Sequence, residues 1–155
     1  MFRYTKPQIV LHWAVVLFLL FQYLWNEPMG QAFRDWMRGG EKVLSAGALA
    51  HLLVGVTILA TALWRLFLRR TAPAAPHGTG ILDPIAALIH WLLYALLIAI
   101  PVAGLVAWFG GSRGAGEFHE IMTNVLLALA GLHVAAALYH QFVLKDGLLR
   151  RMTLR

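Results

Sequence analysis

Four stretches of the chain are almost continuously apolar, and each is near or above the ~20 residues a helix needs to cross a bilayer. They run from about Gln8 to Trp25, Val43 to Phe67, Ile85 to Phe109 and Phe118 to Leu144. Short connections rich in breakers and charge separate them. Asn26 to Lys42 reads as a polar loop with Pro28, Gly30, Gly39 and Gly40, and Gly110 to Glu117 as a tight Gly-rich link. Leu68 to Pro84 is basic and then breaker-rich, and Lys145 to Arg155 is a basic tail. Links this short make sequential helices antiparallel neighbours. The expected fold is therefore all-α: an integral membrane four-helix up-down-up-down bundle, one domain over residues 1–155, with no internal repeat. The first span reads as retained and not as a signal peptide. Its apolar core is long, it contains His12, and no small-residue cleavage site follows.

Composition strengthens this picture. Of 155 residues 60% are hydrophobic and 13% charged, with a mean hydropathy of +0.69. A water-soluble domain carries roughly 25% charged residues, and a disordered chain is not this apolar. The absence of cysteine excludes disulfides, thiolate metal sites, iron–sulfur ligation and c-type haem attachment.

The net charge of +6 is a topology signal. Arg3, Lys6, Arg65, Arg69, Arg70, Lys145, Arg150, Arg151 and Arg155 fall on one side of the four spans. Arg34, Arg38, Lys42 and Arg113 fall on the other, beside Glu27, Asp35, Glu41, Glu117 and Glu120. By the positive-inside rule both termini are expected in the cytoplasm, with the lipid bilayer as the chain's first partner. No basic face with interleaved aromatics lies outside the spans, so nucleic acid is not an expected partner. Trp25, Trp64 and Trp108 near span ends suit the membrane interface.

Histidines carry the candidate chemistry. His12 lies in the first span, His51 in the second, His90 in the third, and His119, His133 and His140 in the fourth, while His77 falls in a loop. Ionisable residues within spans are costly to bury and point to function. One alone would be explained as an interhelical hydrogen-bond donor; six across four helices are not. Zinc or copper would draw three or four ligands to one level, and no such cluster is evident. Haem b needs only two axial imidazoles from facing helices within an apolar setting.

His119 and His133 are 14 residues apart, on about the same helix face and roughly 21 Å apart along the axis. That suits two haems stacked across a bilayer. His140, seven residues further, shares about the same face. Pairing His12 with His133 and His51 with His119 leaves each fourth-span histidine about 10 Å out of level. One displacement of that span relieves both offsets; without it, His90 or His140 is nearer the depth of His12. Depth alone leaves the first pair open. Gly55, Gly104 and Gly131 within spans suit either the close approach of a flat macrocycle or close helix packing.

Several segments together resemble the bacterial cytochrome b561 family, small di-haem relatives of the hydrogenase-type cytochrome b subunits. They include Tyr4-Thr5-Lys6 through Leu11-His12-Trp13, Ala50-His51 with Gly55 and Arg65, Pro101 to Leu105, and Phe118-His119-Glu120. The most specific stretch is Gly131-Leu132-His133 with Ala135 to Leu138, His140 and Lys145 to Met152. The resemblance covers almost the whole chain, in order. It implies two b haems, with His12 and His133 as iron ligands on the cytoplasmic side and His51 and His119 on the periplasmic side. His90 and His140 then become supporting or quinone-site candidates. The chain is short for the family, chiefly between the third and fourth spans.

The expected function is electron transfer through a multi-pass protein of the bacterial inner membrane, exchanging electrons with the quinone pool. By resemblance this extends to a superoxide:quinone oxidoreductase with a periplasmic electron donor. The alternative is a haem b membrane anchor whose redox partner is a subunit of a larger respiratory oxidoreductase. A third reading has no haem and uses the histidines for protons or metal. Bis-histidine ligation leaves no open iron position, so no residue is expected to act as a catalytic group. Arg3, Arg65 and Arg69 are candidates for cytoplasmic haem propionates, and Arg113 or Lys42 for periplasmic ones.

Overall fold

A computed structural model describes residues 4–71, 83–145 and 147–153, without the side chains of Asp83, Leu148 and Arg151. Arg3 and His77 lie outside the described residues. Among those described there are helices and no strands: α1 (Lys6–Leu24), α2 (Glu27–Met37), α3 (Ala46–Thr71), α4 (Asp83–Gly110) and α5 (Arg113–Tyr139). A π-helical turn, His140–Leu144, extends α5, and a 3-10 turn, Leu148–Met152, follows. α1, α3, α4 and α5 with its extension are long and apolar enough to cross a membrane.

Local chemistry sets the helix starts. Thr5 and Gln8 form a reciprocal capping box ahead of α1, with Pro7 in its first turn. The Ser45 hydroxyl accepts from the Ala48 amide at 3.2 Å at the start of α3. Ser112 does the same for Ala115 at 3.2 Å, so α5 begins at Arg113. The expected Gly110–Glu117 link is therefore only two residues long, Gly111 and Ser112. Gly111 turns the chain at φ +64°, a region that glycine enters without steric cost. Gly114 and Gly116 are helical.

The Asn26–Lys42 segment also departs from expectation, because most of it is α2. Pro28 stands in the first helical turn, where its missing amide costs nothing. Met29, Ala32, Phe33, Trp36 and Met37 share a half-buried face, while Gln31, Arg34, Asp35 and Arg38 are exposed. This is an amphipathic helix whose signal, one apolar residue every three or four, was overshadowed by the charges and glycines around it.

Side-chain contacts establish the up-down-up-down order. Gln22, late in α1, meets His51 early in α3, and Ile100, late in α4, meets His119 early in α5. Early in α1, Trp13 donates its indole N–H to the Met152 carbonyl oxygen at 3.0 Å. Both described chain ends thus lie at one end of the bundle, the terminal end, and α2 lies at the other. Lys145 at φ +54° and Gly147 at φ +71° reverse the chain so that its last turn folds back. Helix packing runs α1 on α3, α3 on α4 and α4 on α5. Ile9, Val15, Ile58, Ile100, Trp108 and Leu126 are among the side chains buried between the helices.

Candidate functional site

Two histidine pairs bridge α5 to its neighbours. At the terminal end the rings of His12 on α1 and His133 on α5 have centroids 6.4 Å apart. At the α2 end His51 on α3 and His119 on α5 are 6.2 Å apart. All four side chains are half-buried. The structure thus brings together both of the pairs that the family resemblance implied. The displacement of the fourth span required for this comes from the way α5 lies in the bundle, which no single-span periodicity contains.

His90 joins the terminal pair. Its ring centroid is 5.1 Å from that of His133, and its Nδ1–H donates to the Ala86 carbonyl oxygen of its own helix at 2.8 Å. His140 lies at the start of the π-helical turn with its ring 6.4 Å from that of Tyr139. Among the described residues, no group of three or more His, Asp or Glu is placed to hold a metal ion.

The donor set fits bis-imidazole ligation of haem iron. A metal takes imidazole nitrogen at about 2 Å, and the ring centre lies about 1.1 Å beyond it, so two opposed rings have centroids about 6.3 Å apart. Both pairs match that spacing. His119 is also in the required tautomer: its Nδ1 lies 2.8 Å from the Ile100 carbonyl oxygen, which can only accept. The proton is therefore on Nδ1, and Nε2 is left as a lone-pair donor. Gly104 makes this contact possible. A Cβ there would sit 2.9 Å from His119 Nδ1 and 3.1 Å from its Cε1.

The other two glycines behave differently. Gly55 makes room for the Gln22 amide, whose Nε2 would lie 3.2 Å from an added Cβ. Gly131 has nothing within 4 Å of an added Cβ and is exposed. Gly104 and Gly55 therefore make room for side chains of the neighbouring helices, neither for a macrocycle nor for a bare helix-on-helix contact.

α2 roofs the His51–His119 end. Pro28 packs on Gly47, one turn before His51 on the same helix face, and a Cβ there would be 2.7 Å from Pro28 Cβ. Phe33 packs on Gly116, one turn before His119, where a Cβ would be 2.6 Å from Phe33 Cε1. This roof is not legible in the sequence, where Asn26–Lys42 reads as a polar loop.

The cations at the α2 end are largely committed. Lys42 Nζ stands 4.2 Å from the centre of the Trp36 ring and 4.9 Å from that of Trp108, and donates to the Trp108 carbonyl oxygen at 2.5 Å. Arg34 pairs with Glu27 at 2.6 Å, and Arg113 donates to the Met37 carbonyl oxygen at 3.1 Å. Lys42 and Arg113, candidates for propionates, instead hold α2 and its flank to the bundle. At the terminal end Arg65 faces Tyr94, 6.0 Å from its ring centre, and acts electrostatically on both His12 and His133. Arg69 lies over Trp91 at 5.3 Å.

The sequence is similar to known proteins over nearly its whole length. A family model described as prokaryotic cytochrome b561 matches residues 3–154. A cytochrome b562 of Cereibacter sphaeroides is 38% identical over 149 residues, covering 96% of this chain and 94% of the relative. Cytochrome b561 homolog 1 of Escherichia coli is 28% identical, over 97% of this chain and 96% of its own. A protein named probable superoxide oxidase CybB, from Yersinia pestis, is 27% identical, over 97% and 95%.

Proposed function

The chain belongs to the prokaryotic cytochrome b561 family of haem-binding electron-transport proteins, multi-pass in the bacterial membrane, and we propose that it carries two b haems. His12 and His133 hold one, and His51 and His119 the other. The observation that carries this reading is the pair of ring separations, 6.4 and 6.2 Å, each bracketing the span of one bis-imidazole iron. Bound haem b supplies a one-electron iron couple at each level.

The residues do the rest. The four imidazoles would hold the two haems and leave no open iron position for oxygen or substrate. The Ile100 carbonyl oxygen holds the His119 proton on Nδ1. The apolar spans exclude water, and α2 separates the His51–His119 level from the aqueous phase beyond it. Arg65, placed beside His12 and His133, balances propionate charge at the terminal end. With both termini in the cytoplasm, the two levels would carry electrons between the membrane faces.

Quinone is the proposed exchange partner, near His140 and the π-helical turn at the terminal end. Single π turns inside helices are frequent at functional sites, since the extra residue re-aims side chains. Superoxide oxidation is less well supported. A small anion would have to pass α2, and three of the four cations at that end are engaged within the protein.

A pyridine haemochrome assay on the detergent-purified protein, with His51→Ala and His133→Ala, tests the ligand set. Two haems per chain are expected, with each variant losing one. No loss in either variant would overturn it. Reduction of quinone by the isolated chain distinguishes a self-sufficient protein from a membrane anchor that needs a second subunit.

A further inference from the structure

Gln22 is a half-buried amide in an otherwise largely apolar stretch of α1, and nothing assigned so far uses it. Its Nε2 donates to the main-chain carbonyl oxygen of His51 at 3.0 Å. Because that carbonyl can only accept, the amide turns its nitrogen to the His51 backbone, and its oxygen is left without a partner. Gly55, one turn beyond His51, gives the amide its room.

Two polar atoms here are buried without a partner, Gln22 Oε1 and His51 Nδ1. A buried polar atom left without a hydrogen bond is destabilising. Their chemistries are complementary. A histidine that gives Nε2 to a metal carries its proton on Nδ1 and almost always donates it to a carbonyl, carboxylate or water. His119 uses the Ile100 carbonyl and His90 the Ala86 carbonyl, whereas His51 Nδ1 has neither kind of partner. The other unpartnered buried atom, Gln22 Oε1, belongs to a side chain already bonded to the His51 backbone.

We propose that Gln22 is the positioning residue of His51, its Oε1 accepting the Nδ1–H while its Nε2 holds the His51 carbonyl. The amide would clamp the ring at backbone and tip, fix the tautomer that presents Nε2 to His119, and raise the basicity of the imidazole. A more basic axial ligand favours ferric iron, so Gln22 would lower the reduction potential of one haem and leave the other alone. The inference rests on His51 as an axial ligand.

The test is a spectroscopic redox titration of the haem-loaded protein and of Gln22→Met, which keeps length and loses both polar ends. The haem lost in His51→Ala is expected to become easier to reduce, with its ferrous:ferric ratio at fixed potential rising about tenfold, or about 59 mV for a one-electron couple. The haem lost in His133→Ala should titrate as before. Gln22→Glu, nearly isosteric and a stronger acceptor, should move the same haem the opposite way, and decides the matter if Gln22→Met does not assemble. Unchanged potentials would make Gln22 a strut between α1 and α3 and overturn the proposal. If His51→Ala itself keeps two haems, the underlying ligand reading fails instead.

Discussion

His119 donates its Nδ1–H to the carbonyl oxygen of Ile100 across 2.8 Å, and the ring rests where a side chain at position 104 would otherwise stand. One missing Cβ on α4 therefore sets the attitude of an imidazole on α5. Gly104→Val is expected to push that ring off its carbonyl and cost one of the two proposed haems. Gly131→Ala, with open space around the added methyl, should keep both. Haem content per chain of the two purified variants checks this; equal content would show that the ring has another seat.

Lys42 is held by two indole faces and one carbonyl. Lys42→Met keeps the apolar stem and removes the charge. We expect a loss of about 1 kcal/mol from the cation–π contacts, read as a lowered Tm in detergent. Unaltered thermal stability would mean that the lysine is only a topology charge.

The seating of α2 depends on Gly116 as much as on α2's own sequence. A Cβ at 116 would drive into the Phe33 ring, so Gly116→Val should lift α2 from α5. Trypsin should then cleave faster after Arg34 and Arg38, with the spans still intact. Cleavage at the parent rate would show that α2 is anchored elsewhere.

At the terminal end, Trp13→Phe deletes the indole N–H that bonds Met152. The expected cost is about 0.5–1.5 kcal/mol, as for one hydrogen bond. Hydrogen exchange should rise in residues 147–153 and stay constant in α3. A uniform rise would instead indicate general loosening of the bundle.

Four spans, their order and the family were legible from the sequence because membrane insertion is decided segment by segment. Each span needs only enough consecutive apolar residues, and the run from Ile85 to Phe109 meets that condition whatever its neighbours do. The six intramembrane histidines were equally plain, since a polar group stands out against so apolar a background. α2 was less so. The apolar residues of its half-buried face had the right spacing, but a short amphipathic helix at an interface carries little apolar mass.

Residue spacing on α5 put His119 and His133 on one face, and that property belongs to a single helix. Which histidines they meet depends on the depth and tilt of α5 against α1 and α3, a relation among helices that no local pattern encodes. The same holds for Gly104 beneath His119 and for Gln22 against His51. Those contacts join residues 15 or more positions apart, and each exists only because packing brings two helix faces within reach of one side chain.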